Sequence, residues 1–205
     1  ERYFRSQGAA PDLLLVGFAG DHLSDSPALQ LERLGGHFGG LGTLDEAFRH
    51  DVHDLGGRVS YLIASVSAAY ANRERVRTLL FAALIPHYKS SSQELNRVVK
   101  AAATKGPAPR RYRRLARFLE RFKGSPTKIV FVAIPVPGPQ TIDPALESLL
   151  KQNGSRLLDL RRPAGLSERD YLDGYHLTPR GGELFTRELS RRLLDIGELR
   201  TLLAQ

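Results

Sequence analysis

Three short apolar runs punctuate an otherwise mixed chain. Asp12-Leu13-Leu14-Leu15-Val16-Gly17 is entered from a proline and stopped by glycine, the pattern of a strand buried on both faces. Lys128-Ile129-Val130-Phe131-Val132-Ala133-Ile134-Pro135 is rich in β-branched residues and ends in Pro-Val-Pro-Gly-Pro, which predicts the best strand in the sequence. Arg156-Leu157-Leu158-Asp159-Leu160 follows a turn at Asn153-Gly154 and reads as a third.

Between the last two runs the period changes from two to about 3.6. Asp143 offers an N-cap, Pro144 suits the first helical position, and Ala145, Leu146, Leu149 and Leu150 form an apolar stripe. Strand, helix and strand in that order predict neighbouring parallel strands joined by a right-handed crossover. A final helix is expected from Thr178-Pro179 to about Ile196, with Leu184, Phe185, Leu189 and Leu193 on one face. The middle is more helical. Val59 to Ile85 reads as one long helix, and Arg110 to Phe122 as an amphipathic one with Tyr112, Leu115, Leu119 and Phe122 at helical spacing. Lys89–Ser92 and Lys105–Pro109 read as loops, and the glycine-rich Gly35–Gly42 as a flexible turn. The expected fold is therefore α/β: one domain over residues 1–205, with a helical insertion or cap at about 59–126.

Composition narrows the function classes. With 205 residues, 41% hydrophobic and 25% charged, the chain has the balance of an ordinary globular domain. Its longest uncharged apolar stretch, Val59–Ala71, is shorter than the roughly 20 residues a bilayer requires. Having no cysteine excludes a disulfide scaffold, a thiol nucleophile and a Cys-based zinc site. The chain opens on Glu1 and holds no Met. Either Glu1 is internal to a longer protein, or methionines are missing from the written sequence.

The net charge of +8 points toward polyanions in general. Arg110-Arg111-Tyr112-Arg113-Arg114, with Arg117, Arg121 and Lys123, is the candidate polyanion contact; the competing reading is the solvated face of an amphipathic helix. Nucleic-acid motifs are absent, so a nucleic-acid partner is not expected. His37, His50, His53 and His87 invite a metal reading, because His50 and His53 would share one face if both lay on a helix, with Asp51 or Asp54 nearby. No third ligand is signalled, and solvated histidines are the expectation, with no metal and no cofactor.

The most informative segment is Tyr171-Leu172-Asp173-Gly174-Tyr175-His176-Leu177-Thr178-Pro179-Arg180-Gly181-Gly182. A carboxylate three residues before an imidazole, on one tight loop, is placed to fix the ring's tautomer and to support the imidazolium that forms when the ring accepts a proton. The loop comes after a strand and before a capped helix, where open parallel sheets carry their sites. The bland reading has Asp173 making a turn and His176 capping the helix.

This block resembles the last conserved block of the SGNH (GDSL) hydrolase superfamily, Asp-x-x-His-Leu-x-x-x-Gly. The resemblance implies a three-layer, flavodoxin-like parallel sheet flanked by helices, with Asp173 orienting His176 and His176 as general base to a serine nucleophile. It implies a serine esterase or O-acyltransferase acting through an acyl-enzyme on an acylated carbohydrate or small polar ester, without a cofactor. Two alignments of Gly17-Phe18-Ala19-Gly20-Asp21-His22-Leu23-Ser24-Asp25 with the family stay open. In the first, Gly20-Asp21-His22-Leu23 stands where the family has Gly-Asp-Ser-Leu, so His22 occupies the nucleophile's place and Ser24 lies two residues on. In the second, preferred because Pro11-Asp12 enters the strand as in the family, Gly20-Asp21 replaces the Gly-Asn of the oxyanion loop. The nucleophilic serine then lies on a strand upstream of Glu1, and Asp21 cannot donate as an amide would.

The long middle helix is similar to a segment of membrane-tethered relatives that O-acylate cell-wall or exopolysaccharide components. For that branch an extracytoplasmic or membrane-tethered setting is expected, and a cytoplasmic one otherwise. The competing function is an inactive SGNH-like module that binds an acidic glycan or another polyanion.

Overall fold

The computed structural model describes residues 11–25, 30–38, 41–88, 91, 110–138, 140–172 and 176–203. In chain order its regular elements are β1 (Leu13–Phe18), α1 (Leu31–Arg33), α2 (Leu44–His50), α3 (Leu55–Val66), α4 (Ala68–Ala71), α5 (Arg73–Leu84), α6 (Arg113–Arg121), β2 (Lys128–Ala133), α7 (Pro144–Gln152), β3 (Arg156–Asp159), α8 (Pro179–Leu194) and α9 (Gly197–Leu203). They fall into two compact units, Glu1–Pro27 with Pro109–Gln205, and Ala28–Ala108.

The first unit is built on a parallel sheet of order β1-β2-β3. Leu13 is in register with Lys128 and Phe18 with Ala133; Val130 pairs with Arg156 and Ala133 with Asp159. The alternation of β2 sorts its side chains between two cores. Ile129, Phe131 and Ala133 pack with Leu115 and Leu119 of α6 and with Leu146 and Leu150 of α7. Val130 and Val132 face the other way, against Leu160, Leu193 and Leu199. Helices therefore cover both faces of the sheet, which is why β2 reads as a continuous apolar run.

α7 begins as its sequence predicts: Asp143 caps the amide of Ala145, and Pro144 is the first helical residue. α6 is shorter than expected. It starts at Arg113, where the carboxylate of Asp25 accepts from the amides of Arg113 and Arg114 at 3.0 Å each. Leu115 and Leu119 are buried against the sheet, so this helix is part of the sheet unit and not of the helical segment before it.

In the second unit the expected single helix over Val59–Ile85 is three helices. The chain leaves helical geometry at Ser67 (φ −130°, ψ 103°), whose hydroxyl caps the amide of Tyr70. It breaks again at Asn72, whose side-chain amide donates to the carbonyl of Ala68 at 2.8 Å. Short polar side chains compete for the backbone, and two of them end helices inside an apolar pattern. The described start of the Gly35–Gly42 stretch is not a flexible turn, and Gly39 and Gly40 lie outside the described residues. Leu34–Phe38 forms a π-helical turn. A Cβ on Gly35 would meet the Tyr61 carbonyl at 2.7 Å, and one on Gly36 would collide with the Cβ of Ala71, so both glycines serve close packing against α3 and α4.

Candidate functional site

The carboxyl ends of the three strands are tied to one another. The amide of Ile134 donates to Phe18 O at 2.8 Å and that of Leu160 to Ala133 O at 3.0 Å, carrying the sheet pairing into the loops. Beyond β1 the chain turns at Gly20 (φ +56°), with His22 N on Ala19 O and Ser24 N on Asp21 O. The Gly20 amide meets Oε1 of Gln140 at 3.4 Å, while the Gln140 amide group donates to Val136 O. Arg161, two residues past the end of β3, donates through Nε and Nη2 to Asp159 at 2.8 and 2.6 Å and through Nη1 to Gln140 O at 2.5 Å. The Arg161 guanidinium holds the Asp159 carboxyl below its ordinary pKa. Together with Gly138 and Arg162, these side chains line a cavity of about 290 Å³ at the carboxyl edge of β2 and β3.

Lys128, the first residue of β2, pairs with Glu198 of α9 at 3.8 Å. Leu193 and Leu199 pack on Val130 and Val132. The end of α8 thus lies on the Val130–Val132 face of the sheet, and the helix after it reaches the first residue of β2. Thr178 caps α8 through the Gly181 amide at 3.1 Å, with Pro179 in the first turn. The segment carrying His176 feeds directly into that capped start.

His176 is exposed, and its carbonyl accepts from the Leu172 amide at 2.7 Å. Tyr171 and Leu177 form an antiparallel bridge across the same loop. Asp173 lies outside the described residues. Gly20, Asp21 and His22 are exposed on the turn after β1, whereas Ser24 is buried at 4% exposure. His50 is the last residue of α2 and His53 lies beyond it, so the two do not share a helical face. No three His, Asp or Glu side chains converge as a metal site among the described residues. Of the candidate polyanion patch, Arg111, Arg113, Arg121 and Lys123 are exposed. No helix among the described residues is long and apolar enough to cross a membrane.

Gln140, Asp159 and Arg161 are not legible as site residues in the sequence. Gln140 follows a Pro-Gly-Pro stretch that reads only as a strand stop, and Asp159 falls inside a strand pattern. The one available signal was the Arg161-Arg162 pair directly after a strand. Comparison with protein-family models, curated proteins and solved structures gives no match.

Proposed function

We propose that the chain is an SGNH-type serine esterase or O-acyltransferase, on a flavodoxin-like three-layer fold, acting on an acyl ester of a carbohydrate or similar polar acceptor. The observation that carries this reading is the His176 loop, closed on itself and set immediately before the capped start of α8. His176 takes the proton of a serine Oγ as that oxygen attacks the acyl carbon, and returns it to the departing alkoxide. Asp173 holds the ring during the step. Water or a sugar hydroxyl then resolves the acyl-enzyme.

Release of p-nitrophenol from its acetate ester tests the reading: His176→Ala is expected to lower turnover by about 10²-fold or more. Equal turnover in the two proteins would end it.

The second reading is an inactive module that binds an acidic glycan or another polyanion. Asp21, an acceptor where an oxyanion donor belongs, and the exposed Arg113 and Arg121 favour it. Failure of the wild-type protein to label with a fluorophosphonate, together with salt-sensitive binding of an acidic polysaccharide, is the result this reading expects.

A further inference from the structure

Tyr171 and Leu172 lie against His176 and Leu177, and a buried carboxylate sits beside this pairing. Asp170 is 2% exposed. Its Oδ2 accepts from the Ser167 amide at 2.9 Å and the Ser167 hydroxyl at 2.8 Å, and its Oδ1 accepts from Arg180 at 2.6 Å. Its backbone carbonyl accepts from the Thr178 amide at 2.8 Å. Asp170 is therefore bonded on one side to the turn that enters the loop. On the other it is bonded to the first residues of the helix that leaves it.

Packing is close at the same junction. A Cβ on Gly181 would stand 2.7 Å from the Asp170 carbonyl oxygen, 3.1 Å from its Cβ and 3.3 Å from Leu177 Cδ2. The first turn of α8 is thus flush against Asp170, with no room for a side chain between them. Arg180 is itself 68% exposed in its side chain and closes over a carboxylate that is 3% exposed. Inside this junction the Tyr171–Leu177 bridge and the Leu172–His176 hydrogen bond form the stem of the loop.

We propose that Asp170 and Arg180 form a clamp that positions His176, with Asp170 a positioning residue that never touches substrate. The catalytic meaning of the clamp rests on the function proposed above; the clamp itself does not. A loop of this length is free to place its imidazole in many ways unless both ends are fixed, and a displacement of about 1 Å at a reacting group costs on the order of 10²-fold in rate. Ser167 and then Arg180 hold the Asp170 carboxyl below its ordinary value of 3.8. A depressed carboxylate contributes its stabilisation above that ordinary value and loses it only as pH falls further. The clamp is therefore intact at any pH where a neutral imidazole acts as a base.

The test uses the full chain with Asp170→Asn, Arg180→Ala and Arg180→Lys. Amide hydrogen exchange at Leu172 and Thr178 reads the stem and the junction directly. Exchange is expected to rise about tenfold or more in Asp170→Asn and Arg180→Ala, to return part-way in Arg180→Lys, and to stay unchanged at Phe131 in the sheet. With p-nitrophenyl acetate, kcat is expected to fall about 10- to 100-fold in the first two variants with KM held within about twofold. Wild-type exchange at Leu172 and Thr178 in a folded Arg180→Ala protein would overturn the clamp. Raised exchange in a protein that turns over no ester, even as wild type, would uphold the clamp and remove the esterase reading instead.

Discussion

Tyr112 donates its hydroxyl to Oδ2 of Asp143 at 2.9 Å and so ties the start of α6 to the start of α7. The same carboxylate caps α7 through its other oxygen. Burial, and then the hydrogen bond to Asp143, push the Tyr112 phenol from 10 up to about 12. The folded state therefore holds this proton more tightly than the unfolded chain. That contribution is complete below pH 10 and is lost as pH rises through about 12. Tyr112→Phe is expected to cost about 1 kcal/mol at neutral pH. It should also flatten the alkaline fall of the thermal midpoint between pH 10 and 12, followed by circular dichroism.

Phe131 is fully buried at 0% exposure, in the cluster that joins the sheet to α6 and α7. Phe131→Ala removes a ring that neighbouring side chains cannot replace by relaxing. A loss of about 3–5 kcal/mol is expected from denaturant unfolding of the sheet unit. Exchange at the β2 amides should rise with it.

Asp25 carries out from the loop after β1 what a helix N-cap normally does from within. Tyr112 occupies the cap position of α6 without a side-chain bond, and Asp25 instead accepts the Arg113 and Arg114 amides. Its negative charge also suits a helix N-terminus. Asp25→Ala is expected to destabilise by about 1 kcal/mol, within the usual range of cap deletions, and Asp25→Asn by less. Thermal midpoints of the two variants check the order.

Where local chemistry decided the fold, the sequence was enough. The three strands come out within a residue or two of their apolar runs, and Asp143-Pro144 and Thr178-Pro179 open helices where they should. Two of the misses come from contacts between residues far apart in the chain. Arg110–Tyr112 continues the helical pattern of α6, yet the helix begins at Arg113 because Asp25 captures the amides there. Gly35 and Gly36 look like a turn, and only the approach of Tyr61 and Ala71 shows why glycine is needed. Ser67 and Asn72 were visible, but whether a short polar residue caps a new helix or points to solvent is settled by its surroundings. The site divides in the same way. Asp173 and His176 are readable as a motif, whereas Asp170 gains meaning only from Ser167, Thr178 and Arg180 gathered around it.

The paired glycines at the start of α8 offer a contrast within one turn of helix. A Cβ on Gly181 would fall 2.7 Å from the Asp170 carbonyl oxygen, a backbone atom that cannot swing aside. A Cβ on Gly182 would have nothing within 4 Å. Gly181→Ala should therefore force α8 away from Asp170 and destabilise by about 1–3 kcal/mol, as overpacking does. Gly182→Ala should be neutral or stabilise by up to about 1 kcal/mol, because alanine forfeits less backbone entropy in a helix. Thermal denaturation of the two single variants tests the pair. Opposite signs are expected, and equal losses would mean that helix propensity rather than contact with Asp170 governs this turn.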